Sequence, residues 1–151
     1  MSKYYIGIMC GTSLDSIDIS IVSITPKRIK VKGFDEYKLD NKFKTEIDLV
    51  KQANNTGINL KKINRNLTNL IIKQVNHSLD KHKLTSEDIS AIGFPGITLI
   101  HRPDLKISDY IGDPSLLSQK LKISVISDFR QTDINAGGQG APLAGLFHKY
   151  L

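Results

Sequence analysis

The hydrophobic residues of this 151-residue chain change their spacing partway along it, and this change constrains the fold more than any other feature. Between residues 17 and 21 isoleucine alternates with Asp18 and Ser20, which is typical of a strand with one buried face. From Leu60 to Lys81 apolar residues instead recur every three or four positions, which predicts an amphipathic helix. A chain with both periods is expected to be an α/β protein.

The other elements are predicted from shorter patterns. Strands over Tyr4–Met9 and Ile29–Leu39, with a bulge at Gly33, join the Ile17 strand in a three-stranded antiparallel meander. The remaining predictions are a helix over Phe43–Ala53, a strand over Ile89–Gly93, a helix from Asp113-Pro114, a strand over Ile123–Ser127 and a helix opened by Pro142. This order predicts a mixed sheet with helices on its faces.

The composition excludes several classes of protein. The apolar runs are short and are broken by Lys, Asp or Gly, so no segment predicts a membrane span or a signal peptide. The single cysteine, Cys10, has no intramolecular disulfide partner, which fits a cytoplasmic protein. The net charge is +6, but the basic residues are spread between acids, as on ordinary solvated surfaces. We therefore expect neither a membrane nor a nucleic acid as a partner.

The turn between the first two predicted strands contains groups suited to phosphate. Gly11, Thr12 and Ser13 offer backbone amides and two hydroxyls, which can surround phosphate oxygens. Asp15 and Asp18 follow, and carboxylates near a polyphosphate repel it unless a divalent cation lies between them. The spacing therefore suits Mg²⁺ held by oxygen ligands. An ordinary hairpin turn uses the same residue types, so that interpretation stays open.

Two later segments contain further candidate ligand groups. Residues 136–143 place three glycines and Gln139 before a proline, which suits a ligand loop or a flexible connection. Their spacing fails the Walker pattern and its lysine is missing, so the segment is not a P-loop. Asp128–Asp133 places two acids and Arg130 after a predicted strand, where they bind a ligand or steady the loop as an internal Arg–Asp pair. His101 is a further candidate for contact with an anionic ligand.

Taken together, these segments resemble the anhydro-N-acetylmuramic acid kinase family. The similar stretches are residues 9–18, 91–93 leading to 101–103, 111–114, 128–130 and 136–143, in the same order and spacing. The resemblance implies an actin-like (ribonuclease H-like) ATPase fold, in which two related α/β domains enclose ATP. Residues 1–151 are then expected to be the amino-terminal domain of a sugar kinase, with the second domain missing.

The resemblance also implies an activity and a set of ligand residues. Members of the family use ATP and Mg²⁺ to open the anhydro bridge of anhydro-N-acetylmuramic acid with water and to phosphorylate the sugar, giving N-acetylmuramic acid 6-phosphate in cell-wall recycling. The implied phosphate-binding residues are Gly11, Thr12, Ser13, Asp15, Ser16 and Asp18, of which Asp15 and Asp18 also hold Mg²⁺ through water. The expected sugar-binding residues are His101, Asp113, Arg130, Asp133, Gly138 and Gln139. The acid that activates the water is expected beyond Leu151.

One stretch departs from the family pattern. Where the family usually has Ser-His-Gly-Gln-Thr, this chain has Phe94-Pro95-Gly96-Ile97-Thr98, so the histidine and the glutamine are absent. The leading hypothesis is a kinase portion that needs the second domain for turnover and that forms a homodimer through its exposed apolar surface. The alternative is a degenerate, non-catalytic binding or interaction module of the same fold, and a nucleic-acid binder is third.

Overall fold

The computed structural model of the chain describes residues 4–11, 13–52 and 60–148. Thr12 and the predicted helix end at Ala53, with the turn at residues 54–57 that the sequence suggests after it, lie outside the described residues. The strands are β1 (Tyr4–Cys10), β2 (Ser16–Thr25), β3 (Arg28–Lys38), β4 (Ile89–Gly93), β5 (Ile97–Arg102), β6 (Ile107–Ile111) and β7 (Val125–Ile126). The helices are α1 (Asn41–Gln52), α2 (Leu60–Lys81), α3 (Pro114–Leu121), α4 (Phe129–Asn135) and α5 (Gly145–His148).

Five of the strands form one mixed sheet in the order β3-β2-β1-β4-β7. The pairs β1–β2 and β2–β3 are antiparallel, whereas β1–β4 and β4–β7 are parallel. Strands β5 and β6 form a separate antiparallel pair. The predicted α/β class with a mixed sheet is confirmed, and α2 has the predicted bounds. Among the described helices, none combines the length and hydrophobicity that a bilayer span requires.

The alternating isoleucines of β2 are the centre of the core. Ile17, Ile19 and Ile21 are fully buried, and α2 places its own apolar stripe in the same cluster. The buried apolar residues of that stripe are Ile63, Leu67, Ile71, Val75 and Leu79. The buried residues recur at every second position in β2 and at every third or fourth position in α2, which places them on one face of each element. The strand and the helix therefore bury a continuous apolar layer between them.

The opposite face of the sheet is only partly covered. Cross-strand pairs there join Met9 to Asp18, Ser20 to Phe34 and Ile24 to Ile29. Several large apolar side chains of this face are exposed, namely Tyr5, Met9, Ile24, Ile29, Val31 and Phe34. Phe129 at the start of α4 and Leu143 line a cavity of about 460 Å³ above it. The α4–α5 segment therefore lies over one part of this face, and the β2–β3 end stays open.

Five local features differ in how well the sequence predicted them. The bulge is present, because Ile21 pairs with Gly33 and Val22 pairs with Val31, leaving one extra residue in β3. The β5–β6 hairpin and helix α4 were not predicted from the sequence. The strand predicted over Ile123–Ser127 is only Val125–Ile126, and the helix attributed to Pro142 begins at Gly145, after a turn.

A buried carboxylate joins the edge strand β3 to the end of α2. The Asp35 side chain is 3% exposed and accepts a hydrogen bond from Ser78 Oγ at 2.8 Å. It also pairs with His82 Nε2 at 2.9 Å and with the Lys81 ammonium. Burial opposes ionisation of Asp35, but the hydrogen bonds from Lys81, Ser78 and His82 outweigh it and hold the pKa of this carboxyl below its usual range.

We expect Asp35→Asn to lower the free energy of unfolding by about 1–3 kcal/mol at neutral pH, because three donors lose a buried anion. Since the folded-state pKa of Asp35 is lowered, its contribution is complete above about pH 4 and is lost as the pH falls through that pKa. Urea unfolding of both proteins at neutral and acidic pH should show the difference shrinking in acid. Asp104→Asn, at an exposed pair with Arg102, is the control. Equal stability of wild type and Asp35→Asn at neutral pH would contradict this role.

Candidate functional site

The turn between β1 and β2 is held in shape by a buried leucine. Leu14 is 1% exposed and has a left-handed backbone, with φ of 54°. Its amide donates to the Gly11 carbonyl at 3.0 Å, which closes the turn. With Leu14 anchored in the core, Ser13 and Asp15 on either side of it are exposed. In the predicted phosphate segment, Ser13 and Asp15 therefore face solvent while Ser16 and Asp18 are half-buried, and Thr12 lies outside the described residues.

The two acids of this segment have different surroundings. Asp15 is exposed and accepts a hydrogen bond from Lys44 Nζ of α1 at 2.7 Å. Hydrogen bonds from Lys44 and then Ser13 hold the pKa of Asp15 below its usual range. Asp18 is half-buried in β2, accepts a hydrogen bond from Ser16 Oγ at 2.8 Å and lines the 460 Å³ cavity. Asp15 and Asp18 therefore accept hydrogen bonds from different donors among the described residues.

Cys10 lies close to both acids and is not suited to nucleophilic chemistry. Burial raises the pKa of its thiol to about 11, with a further contribution from Asp18 and a smaller one from Asp15. Lys51 and Lys44 partly oppose this shift. Because the thiolate is the nucleophile, a thiol with this pKa is unreactive near neutral pH. Its position next to Gly11 is therefore a matter of packing.

The oxygen groups of the turn fit Mg²⁺ better than they fit a transition metal. In the part of the chain that the structure describes, there is no group of three or more His, Cys, Asp and Glu residues able to bind a metal. Asp15, Asp18 and the Ser16 hydroxyl are hard oxygen donors, and Mg²⁺ keeps several waters while binding one or two carboxylates and phosphate oxygens. The donors present suit a cation held partly by a bound phosphate.

The glycine-rich loop is fastened to α4 by two side chains. Arg130 Nη1 donates to the Gly140 carbonyl at 2.7 Å, and the Gly140 amide donates to Asp133 Oδ2 at 2.7 Å. The Gly138 amide donates to the Asp133 carbonyl at 2.8 Å. A Cβ at Gly138 would lie 2.1 Å from Asp133 Oδ2, so only glycine allows this approach. Arg130 and Asp133 thus bind the two backbone polar groups of the same residue, Gly140, rather than each other.

The remaining predicted sugar residues lie in two places. His101, on β5, has Nδ1 3.4 Å from Ser108 Oγ, and its ring is close to Gly140. Gln139 is exposed within the loop. Asp113 lies apart from these, because its carboxylate caps α3 by accepting from the Leu116 amide at 2.9 Å. The structure therefore gathers His101, Arg130, Asp133, Gly138 and Gln139 around Gly140 and leaves Asp113 outside this group.

A second cavity, of about 210 Å³, connects the turn to Arg130. Gly11 lines one side of it, and Arg130 lines it together with the loop that starts at Pro95. The Nε of Arg130 is buried and has no hydrogen-bond partner among the described residues. A buried donor without a partner is costly, and this one belongs to a residue that lines the cavity.

Sequence reasoning missed two contributors to the site. Lys44 contacts Asp15 across 29 positions, and Thr98 lines the 210 Å³ cavity next to Arg130. No local pattern signals the Lys44 contact, because a lysine in the first turn of a helix is ordinary. Thr98 was visible in the stretch that departs from the family pattern, although its position in a cavity wall was not.

A family model and several curated proteins match nearly the whole sequence of this chain. The family model for anhydro-N-acetylmuramic acid kinase matches residues 3–151. The curated anhydro-N-acetylmuramic acid kinases of Mannheimia succiniciproducens and Sulfurimonas denitrificans are each 36% identical to the chain, covering 100% of it and 41% and 42% of those proteins. That of a Sulfurovum species is 39% identical, covering 97% of the chain and 42% of that protein.

The chain thus spans roughly two-fifths of the length of these curated relatives, each covered to 41% or 42%. The family match extends over the turn at Gly11, the residues that line the 210 Å³ cavity and the glycine-rich loop. The chain belongs to the anhydro-N-acetylmuramic acid kinase family.

Proposed function

We propose that this chain is the part of an anhydro-N-acetylmuramic acid kinase that holds the ATP phosphates and one side of the sugar. The observation that supports this most directly is the 210 Å³ cavity, which is lined by Gly11 of the phosphate turn and by Arg130. A kinase must bring its phosphate donor and its sugar together, and these two segments meet at one cavity. We place the chain in a two-domain protein of the actin-like (ribonuclease H-like) fold.

The phosphate side of the site has the groups that phosphoryl transfer requires. The Gly11–Ser13 turn supplies amides and hydroxyls for phosphate oxygens, with Ser16 beside Asp18 at its far end. Asp15 and Asp18 would hold Mg²⁺ through water. When bound, Mg²⁺ neutralises charge on the phosphates. Asp15 needs little rearrangement for this role, because its carboxylate is 72% exposed and is ionised at neutral pH.

The sugar side is assigned to the surroundings of Gly140. Arg130 lines the 210 Å³ cavity and has a buried Nε without a partner among the described residues, and His101 lies close to Gly140. Asp133 fixes the loop, so that Gly138 and Gln139 present their outward groups to the sugar. Asp113 caps α3, so any effect of Asp113 on the sugar would be indirect. The acid that activates water would come from outside residues 1–151, so this chain alone is expected to bind without turnover.

One observation favours a second candidate, a binding module that has lost sugar chemistry. Phe94 and Ile97 are each 2% exposed, so the segment that replaces the family's polar stretch is partly core. Pro95 lines both cavities and offers no side-chain donor. A sugar contact normally made from this stretch has no counterpart here. Measured affinity of the chain for the anhydro sugar separates the two candidates, because the degenerate module would bind none.

In the kinase extended to the length of its relatives, Asp15→Ala is expected to lower turnover by about 10²-fold or more, because charge on the transferred phosphate loses its support. Thermal unfolding should be nearly unchanged, since Asp15 is exposed. Turnover as a function of Mg²⁺ concentration, measured beside thermal unfolding, checks both statements. Asp104→Ala, another exposed aspartate in an ion pair, is the control. Normal kinetics with lowered stability would defeat the phosphate-site assignment.

Asp133→Ala should speed amide hydrogen exchange of Gly140 by up to roughly tenfold, because it removes the acceptor of that amide. Asp133→Asn keeps an acceptor oxygen and should restore most of the protection. In the extended kinase, the alanine variant should raise KM for the sugar more than it lowers kcat. Thr132→Ala, at the exposed neighbouring position, is the matched control. Unchanged Gly140 exchange in Asp133→Ala would show that the loop does not depend on this carboxylate.

A further inference from the structure

Lys44 is directed at the phosphate turn by the helix that contains it. Its Nζ lies 2.7 Å from Asp15 Oδ1, and its side chain is only 25% exposed while that of Asp15 is 72% exposed. Helix α1 is fixed to the core by Ile47, which is fully buried, with Phe43 and Val50 packed against the same cluster. The ammonium is therefore held by a packed helix, and the carboxylate is the more exposed end of the pair.

The stability of the fold does not account for this placement. An ion pair between an exposed carboxylate and a lysine contributes little to stability, because water screens both charges. Lys51, seven positions further along α1, lies on the same helix face, and its charge also reaches Cys10 at the end of β1. Helix α1 thus directs positive charge at the residues that lead into the turn.

The turn itself offers a polyphosphate only neutral donors and negative charge. Its amides and hydroxyls are uncharged, and Asp15 and Asp18 repel an incoming phosphate. A lysine ammonium has three N–H donors, of which Asp15 Oδ1 accepts one. Among the described residues no other acceptor is seen for this ammonium, so its remaining donors can reach oxygens of a ligand beside Ser13 while the contact with Asp15 is kept. Bonds of this kind, between an ammonium and a phosphate oxygen, are stronger than neutral ones.

We propose that Lys44 is a phosphate-binding residue of this site, and that Asp15 orients its ammonium toward the phosphates. The inference rests on the proposed function, because it requires the turn to be the phosphate site. It gives Asp15 a role that does not depend on a metal. It also explains why a partly buried lysine of α1 contacts an exposed carboxylate 29 positions away.

The test uses the 151-residue chain and sodium tripolyphosphate in the presence of EDTA, with affinity measured by calorimetry. Lys44→Met should weaken binding by about five- to tenfold, the loss expected for one charge-assisted hydrogen bond, and Lys44→Arg should recover part of it. Lys42→Met, an exposed position on the same helix, removes the same charge and should leave binding unchanged. Circular dichroism and thermal unfolding should be the same for all four proteins. Repeating the titration with Mg²⁺ and ATP should give the same ranking.

The outcomes separate this inference from the proposed function. If the wild-type chain binds tripolyphosphate and Lys44→Met binds it equally well, the role of Lys44 is wrong while the phosphate turn stands. If Lys42→Met weakens binding as much as Lys44→Met, the effect is one of net charge and the specific contact is refuted. If the wild-type chain binds neither tripolyphosphate nor ATP with Mg²⁺, the phosphate turn is refuted and this inference with it.

Discussion

The burial of three β2 isoleucines against α2 determines which way every other residue of that strand faces. Ile17, Ile19 and Ile21 have no exposed surface, so the alternate residues must face the other side of the sheet. Asp18 and Ser20 are therefore directed toward the 460 Å³ cavity. A shift of one residue in the β1–β2 register would bury Asp18 in the core, at a cost that the fold would not tolerate. The same packing that forms the core thus positions an acid of the candidate site.

Gly138 and the short helix α4 determine the shape of the glycine-rich loop in the candidate site. Gly138 leaves room for the Asp133 carboxylate, which in turn binds the Gly140 amide, while Arg130 binds the Gly140 carbonyl. Both backbone polar groups of Gly140 are thereby satisfied by side chains of a single seven-residue helix. The loop that follows α4 is consequently fixed, although it contains three glycines. Arg130 and Asp133, which the sequence suggested as direct ligand contacts, therefore form hydrogen bonds with this loop.

In the proposed function, the phosphate side and the sugar side differ in how closely they match the pattern that the resemblance implies. The proposed phosphate turn has Ser13 and Asp15 exposed around a buried Leu14. On the proposed sugar side, Phe94 and Ile97 lie in the core where the resemblance implies polar residues. The side chains of a buried phenylalanine and a buried isoleucine cannot donate hydrogen bonds to a sugar. If the proposed function holds, a change of ligand would therefore begin on the sugar side.

Hydrophobic periodicity alone predicted the α/β class, the first strands and the full extent of α2, because period and burial are set by the same local geometry. The capping role of Asp113 and the bulge at Gly33 were also readable, since each depends on neighbours within a few positions. Only the tertiary structure showed that Lys44 contacts Asp15, that Arg130 and Asp133 both bind Gly140, and that Arg130 shares a cavity with Gly11. The Lys44 contact and the shared cavity join residues far apart in the chain, and the binding of Gly140 depends on helix α4, which the sequence did not reveal. Such contacts depend on how the helices and strands pack against each other, and the spacing of residues along the sequence does not predict that packing.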